Sequence, residues 1–164
     1  MMERRQLTYV ILLVAAVAGV LGMRHYFSTE QIIRRHLFEA VESFKNEKIL
    51  GVMAKISRSY TDDWGGSYES LGGQAQSMME AYDALTMDVD IGAVEVGEGE
   101  ARVVLAFVVG GRTEAGKGNI LGSDLEPCRA TLRWVEEEPG WRLIETEELD
   151  IPEYREELDS RRER

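Results

Sequence analysis

The chain has 164 residues, with 19 Lys and Arg against 30 Asp and Glu, a net charge of −11 and a single cysteine. This length fits one domain with an appendage. The acidic balance argues against nucleic acid as the main partner, because phosphate binding needs a basic face that releases counterions. Cys128 by itself forms neither an internal disulfide nor a cysteine-based zinc site. We expect no metal ion and no cofactor.

An uncharged segment near the N-terminus predicts a membrane anchor. It begins at Leu7, ends at Met23 and reads LTYVILLVAAVAGVLGM. As a helix these residues span about 26 Å, slightly less than the roughly 30 Å of the hydrocarbon layer, and flanking residues can extend the span. We therefore expect residues 1–27 to form a cytoplasmic stub and one transmembrane helix. A cleaved signal peptide, with Val20-Leu21-Gly22 as its processing site, is the alternative.

The rest of the chain is expected on the far side of the membrane. Arginines flank the apolar segment on both sides and nearly balance, so the positive-inside rule does not fix the orientation. A short stub followed by a large C-terminal domain is the usual single-pass arrangement, and long domains cross largely regardless of charge. We expect a single-pass membrane protein with its domain on the periplasmic side.

Two helices are predicted directly after the anchor. The sequence from Ser28 to Gln31 matches a capping box, and apolar residues then recur at helical spacing as far as Phe44. Asn46 is expected to cap a second, shorter helix that ends near Ser57. In that helix Leu50 and Ile56 are among the residues expected to face inward.

A loop and a third helix are predicted next. Residues 59–67 read SYTDDWGGS, a composition typical of a loop. Apolar residues from Leu71 to Leu85 then follow helical spacing and predict the third helix. Gly72 and Gly73 weaken it, because each glycine costs about 1 kcal/mol in a helix interior.

After Thr86 the apolar period changes from helical to two, which predicts strands. A change of parity at Gly92-Ala93 indicates a β-bulge in the first strand. Residues 101–109 are apolar on both parities, as is typical of a central strand buried on both faces. The glycine-rich residues 110–124 are expected to form a long loop.

The last predicted elements form a hairpin. Residues 128–134 alternate apolar and polar side chains, and a Pro139-Gly140 turn returns the chain as a strand over 141–149. Residues 151–164 are rich in charge and are expected to form a tail. Three helices followed by four strands predict an α+β domain over residues 28–150 with an antiparallel sheet.

This domain resembles the nuclear transport factor 2-like superfamily. The resemblance rests on the order of the elements, on the segment ISRSYTDD that closes the second predicted helix, and on the final strand GWRLIETEELD. It implies a cone, in which a bent four-stranded antiparallel sheet packs on three helices. The superfamily includes isomerases, dehydratases, small-ligand binders and structural subunits, so the resemblance implies a fold and not one activity.

The candidate ligand-binding residues combine aromatic rings, carboxylates and flexible apolar side chains: Tyr60, Asp62, Asp63, Trp64, Met78 and Tyr82. The first four lie in the predicted loop, and loops often carry functional groups. The alternative is structural: an aspartate caps a turn, the two aromatic rings close the end of the cone, and the methionine fills the core. His36 lies beside two arginines on the first helix, so we do not expect it to act as a buried base. No catalytic residue is expected.

The leading hypothesis from the sequence is a non-catalytic interaction domain of the cell envelope. It would bind a partner protein, or a second copy as a homodimer, through its sheet. Arg129 and Arg133 with Glu145 and Glu147 predict a charged ladder on the outer sheet face, either a solvated surface or a docking surface. The alternatives are binding of a small apolar molecule or lipid inside the cone, and an enzyme of the isomerase or dehydratase type.

Overall fold

The computed structural model describes residues 28–113 and 116–154. Its elements in chain order are α1 (Thr29–Lys45), α2 (Ile49–Met53), β1 (Ile56–Asp62), α3 (Tyr68–Ala81), β2 (Asp83–Val96), β3 (Glu100–Thr113), β4 (Gly116–Leu121), β5 (Cys128–Glu137), β6 (Gly140–Asp150) and a 3₁₀ helix (Pro152–Tyr154). The predicted anchor, residues 7–23, lies outside the described residues. Among the helices that are described, none combines the length and the apolar character needed to span a membrane.

The first helix forms as the sequence predicts. The Ser28 hydroxyl accepts a hydrogen bond from the Gln31 backbone N–H at 3.4 Å, which caps the start of α1. The residues that recur at helical spacing are the buried ones: Ile33, Leu37, Val41 and Phe44. This apolar stripe lays α1 against the inner face of the sheet.

The prediction for the second helix is wrong at both ends. Asn46 closes the end of α1, where its side-chain amide donates to the Glu42 carbonyl at 2.6 Å, and it does not cap α2. No side chain caps α2 at Lys48, so this helix extends over only 5 residues. Leu50 is 83% exposed and does not face inward. Ile56 begins β1 and belongs to no helix.

A strand occupies much of the segment predicted as a loop. β1 runs parallel to β6, with Ile56 opposite Leu143 and Asp62 opposite Thr146. The register shifts between Ile56 and Thr61, so the burial pattern of β1 lacks strict alternation. Because a strand is recognised in sequence by that alternation, the irregular register hides β1.

The third helix ends earlier than the sequence predicts. Ser67 and Ser70 form a reciprocal capping box at its start. The helix ends at Ala81, and Leu85, predicted on its apolar face, is a buried residue of β2. Leu85 continues the helical spacing from Tyr82 and also starts the period-two series with Met87, so both patterns fit it.

The sheet has six strands in a mixed arrangement, not four in an antiparallel one. The order is β1-β6-β5-β3-β2, and β4 also pairs with β3. The β1–β6 pair is parallel and the other pairs are antiparallel. The bulge predicted at Gly92-Ala93 is confirmed by the register shift between Ile91 and Ala93.

Two predictions about β3 and its neighbour are wrong. Residues 110–124 are not a loop throughout, because they complete β3 and form β4. A side chain at Gly111 would meet Ile120 Cδ1 at 2.8 Å, so this glycine permits close approach and does not mark a loop. β3 is central but buried on one face: Val103 is fully buried, whereas Val104 is 50% exposed.

The interior divides into two apolar clusters along α1. The first cluster joins Ile33 and Leu37 of α1 to inward-facing residues of β3, β5 and β6, including Trp134 and Trp141. The second cluster centres on Phe44 near the end of α1, with the buried residues Leu85 and Val109. The half-buried Met78 and Tyr82 of α3 pack against this second cluster.

Alanine substitutions at two glycines are predicted to have opposite effects on stability. Gly73 lies in α3 with no atom within 4 Å of an added Cβ, so Gly73→Ala should raise the free energy of unfolding by about 0.5–1 kcal/mol. Gly122 has a φ of +67°, and an added Cβ would lie 2.9 Å from the Cys128 backbone nitrogen, so Gly122→Ala should lower stability by more than about 1 kcal/mol. Urea unfolding of the two variants beside the parent measures both. Equal midpoints for the two variants would contradict this backbone geometry.

Candidate functional site

The four candidate residues nearest in sequence meet where β1 ends beside β6. We call this place the β1–β6 junction: Tyr60, Asp62, Asp63 and Trp64 on one strand and its turn, with Thr146 and Glu148 opposite. The parallel register pairs Asp62 with Thr146. The non-local pairing of β1 with β6 therefore brings together side chains that are more than 80 positions apart.

Tyr60 lies inside the junction with its polar end satisfied. Its ring is 4% exposed, and its hydroxyl donates a hydrogen bond to Thr146 Oγ1 at 2.8 Å. Burial raises the pKa of Tyr60 to about 12, with smaller contributions from the nearby carboxylates of Asp62 and Asp63. The phenol therefore remains protonated near neutral pH, where its hydrogen bond links β1 to β6.

The two aspartates of the junction hold backbone groups. Asp62 Oδ1 accepts hydrogen bonds from the backbone N–H groups of Trp64, at 2.9 Å, and Gly66, at 2.6 Å. Asp63 Oδ2 accepts from the Glu148 N–H at 2.5 Å. Glu148 has a φ of 52°, and the β5–β6 register shifts between its neighbours. The carboxylates thus stabilise a turn and an irregular point of β6, as the structural alternative describes.

Trp64 packs against the 3₁₀ helix on the outside of the β1–β6 junction. The Trp64 ring meets the Tyr154 ring edge-on, with centroids 6.1 Å apart. Ile151, just before the 3₁₀ helix, is buried, and the Glu153 carboxylate accepts a hydrogen bond from the Gly122 N–H at 2.8 Å. Residues 151–154 are therefore held against the domain by an aromatic, an apolar and a polar contact.

The remaining two candidates, Met78 and Tyr82, occupy a different part of the molecule. Both are half-buried side chains of α3 or its end that pack against the second cluster. The structure thus divides the six candidates into two groups: the β1–β6 junction with four of them, and the α3 face of the interior with two.

His36 is more buried than the charged residues beside it in the sequence suggest. Its imidazole lies 6.5 Å from the Trp134 ring, between centroids, and its Nδ1 is buried with no hydrogen-bond partner. Burial is the main reason that the pKa of His36 is lowered, and the Lys55 ammonium lowers it further. A hydrogen bond with the Trp141 backbone opposes this shift, as does Glu39. The imidazole is therefore neutral at pH 7.

A sequence signal for His36 existed in its helical position. It lies three residues after Ile33 and beside Leu37, at the border of the apolar stripe. At this border one edge of the imidazole ring is buried while the other edge stays near charged side chains. A histidine beside two arginines therefore reads in the sequence as a residue at the polar edge of the helix.

The outer face of the sheet carries a charged ladder with an apolar centre. Arg133 Nε donates to Glu145 Oε2 at 2.7 Å, as the sequence predicts, and Arg102 pairs with Glu147. Arg129, the other arginine predicted for this ladder, lies opposite Asp150. Between these charges lies Val104, half exposed on the central strand.

Two further features of the described residues bear on ligand binding: possible metal ligands and surface depressions. In residues 28–113 and 116–154, no group of three or more His, Cys, Asp or Glu side chains is disposed to hold a metal ion. A shallow depression at the β5–β6 turn is lined by Glu136, Glu137, Glu138, Pro139 and Gly140. Glu137 is engaged there by the Ser57 hydroxyl at 2.7 Å.

Comparison with known proteins identifies the architecture through solved structures. No family model and no curated protein matches the sequence. A nuclear transport factor 2-like superfamily protein from Salmonella enterica serovar Typhimurium superposes with a TM-score of 0.59 at 13% identity, covering 74% of this chain and 89% of that one. A scytalone dehydratase-like protein from Novosphingobium aromaticivorans gives 0.61 at 14%, covering 83% and 87%.

A Mycobacterium tuberculosis protein of unknown function is similar as well, with a TM-score of 0.58 at 16% identity over 73% of this chain and 69% of that one. Identities this low carry the fold and no activity. The resemblance noted in the sequence is confirmed at the level of the fold. The chain has a nuclear transport factor 2-like fold, with an α+β architecture and a mixed sheet.

Proposed function

We propose that this chain is a membrane-anchored, non-catalytic interaction domain of the cell envelope, which binds a partner protein or a second copy through the outer face of its sheet. The observation that carries the proposal is Val104. This side chain is 50% exposed on β3, an interior strand of the sheet, with Ala93 and Thr131 opposite it on the two neighbouring strands.

The charges around Val104 favour association. Two arginines, Arg102 and Arg133, and two glutamates, Glu145 and Glu147, form a linked set of ion pairs on this face. The chain as a whole has a net charge of −11, so most of its surface repels another acidic protein. A locally balanced rim around an apolar centre has the anatomy of a protein interface.

The polar groups of the β1–β6 junction support the non-catalytic part of the proposal. Tyr60 is occupied by Thr146, Asp62 by a turn and Asp63 by the Glu148 backbone. A general base needs a lone pair directed at substrate, whereas these hydrogen bonds direct Asp62 Oδ1 and Asp63 Oδ2 at the protein's own backbone groups.

The anchor supports the location. Residues 7–23, extended by their flanking residues, suffice for one crossing, and four residues separate them from the Ser28 cap of α1. Tethering a domain to a membrane raises its effective concentration near other envelope proteins, so even a modest interface on the sheet suffices for binding.

A second candidate function is binding of a small apolar molecule or lipid in the cone, as a simple binder or as an isomerase or dehydratase. The half-buried Met78, Met79 and Tyr82 beside the second cluster favour it, because methionine side chains adapt to irregular ligands. The likeness to a scytalone dehydratase-like protein is consistent with this candidate at the level of fold.

Native mass spectrometry of the full-length chain in mild detergent tests the interface. We expect a dimer or a hetero-complex, and Val104→Arg should weaken it by at least about tenfold because a charge is then buried at the centre of the contact. Leu125→Arg is the matched control, since Leu125 is an apolar residue 94% exposed in the connection between β4 and β5. A complex unchanged by Val104→Arg would refute the sheet interface, and a monomer that retains a small molecule would favour the second candidate.

Membrane insertion is tested by carbonate extraction of membranes from cells that express the full chain. The parent should stay in the membrane pellet with its N-terminus intact. Leu12→Arg with Val14→Arg should release it, because each arginine costs about 2.5–3.5 kcal/mol near the helix centre. The double substitution to Phe is the control and should remain inserted. A mature chain that lacks residues 1–22 would instead establish the signal-peptide alternative.

Substitutions of Asp62 distinguish a structural role of its carboxylate from a catalytic role. Asp62→Ala removes the acceptor for two backbone N–H groups and should lower the free energy of unfolding by about 1–2 kcal/mol. Asp62→Asn keeps an acceptor oxygen and should cost less than the alanine variant; Asp124→Ala serves as an exposed control. The enzyme hypothesis predicts the contrary pattern for Asp62→Asn with Asp63→Asn, namely lost turnover of a substrate at unchanged stability.

A further inference from the structure

Two buried polar atoms without partners lie on neighbouring side chains inside the cone. They are Nδ1 of His36 on α1 and Nε1 of Trp134 on β5. The two rings are 6.5 Å apart between centroids and tilted by 51°, so they adjoin each other. Trp134 is 1% exposed, which leaves its indole N–H without access to bulk solvent. Buried polar atoms are rarely left without a hydrogen bond in native proteins.

The chemistry of the two atoms is complementary. An indole Nε1 is a donor only. The Trp141 backbone acts to raise the pKa of His36, the effect expected where an imidazole donates to a carbonyl, and since Nδ1 has no partner, Nε2 is the nitrogen left for this donation. A neutral imidazole that donates through Nε2 presents a lone pair at Nδ1. In this tautomer the two adjoining rings offer one donor and one acceptor.

This pairing selects the group that can bind there. A carboxylate or phosphate oxygen would suit the indole N–H but would face the Nδ1 lone pair, whereas an ammonium group would suit Nδ1 but would face the indole proton. The nearby charges are Lys55 and Arg35 against Glu39, and Lys55 forms an ion pair with Glu39 at 2.5 Å. A hydroxyl group accepts one hydrogen bond and donates another, so it satisfies both atoms.

We propose that a hydroxyl group binds between Trp134 Nε1 and His36 Nδ1, accepting from the indole and donating to the imidazole. The hydroxyl belongs to a bound water or to a small alcohol or phenol. The site lies in the first cluster, beside Trp141, and is distinct from the α3 face with Met78 and Tyr82. It makes use of the inner face of the sheet and is independent of the outer-face interface proposed above.

The first measurement is NMR on the ¹⁵N-labelled full-length chain in detergent. Trp134→Phe assigns the indole signal, and we expect a rotating-frame Overhauser cross-peak between the Trp134 Nε1 proton and water if the hydroxyl is a water. If it belongs to a small molecule, that cross-peak is missing and native mass spectrometry shows a retained mass that Trp134→Phe removes. Trp64→Phe is the control, since Trp64 lies at the β1–β6 junction outside the first cluster, and it should leave either signal in place.

A double-mutant cycle tests whether one hydroxyl group joins His36 to Trp134, through the change in stability that each substitution causes. His36→Phe and Trp134→Phe keep an aromatic ring at each position and remove the nitrogen atoms. If a hydroxyl joins them, each variant leaves it half satisfied and should lower the folding equilibrium constant about tenfold, with a double variant clearly less affected than the product of the two.

The opposite results overturn the proposal. An unbridged pair gives no water cross-peak and no retained mass, and Trp134→Phe then raises stability because it removes an unsatisfied buried donor. Additive effects in the double variant, together with those two negative measurements, would likewise show that no common group joins the two nitrogens.

Discussion

The parallel pairing of β1 with β6 is the constraint on which the rest of the candidate site depends. It joins residues more than 80 positions apart, through the register that places Asp62 beside Thr146. The buried Tyr60–Thr146 hydrogen bond and the contact between Asp63 and the Glu148 N–H both follow from this register. A parallel pair needs a long connection, which α3 and the following strands provide. Without this pair, the four polar and aromatic residues that resemble a ligand site would belong to a flexible loop.

Local patterns predicted the elements whose structure is decided locally. The cap at Ser28, the bulge at Gly92 and the hairpin at Pro139-Gly140 are present because each depends on a few neighbouring residues. β1 and β4 were missed for physical reasons. In β1 an irregular register removes the alternation, and in the β3–β4 hairpin glycines are needed because Thr86 and Ile120 occupy the space of their side chains. Both reasons are contacts between strands, which the pattern within one strand does not contain.

The candidate site shows the same division between residue type and residue role. Composition drew attention to Tyr60, Asp62, Asp63 and Trp64 as one group, and the hydrogen-bond partners of the first three are backbone groups and a threonine distant in sequence. A carboxylate in a turn has the same sequence signature whether it receives N–H groups of its own chain or a substrate proton. His36 is the converse case: its arginine neighbours indicate an exposed residue, while the packing of α1 on β5 buries one of its nitrogens.

The two faces of β3 give one small domain two separate kinds of surface. Val103 is fully buried among the aromatic residues of the first cluster, whereas the adjacent Val104 is half exposed among ion pairs. Successive strand residues point to opposite faces, so the inner and outer surfaces share a backbone but no side chains. Inside, neutral donors and acceptors are selected because an unpaired charge would be too costly to bury. Outside, balanced charges surround an apolar centre in a chain that is otherwise strongly acidic. The sheet therefore separates an interior with neutral polar groups from an outer face with balanced charges, and the two proposals concern these two surfaces.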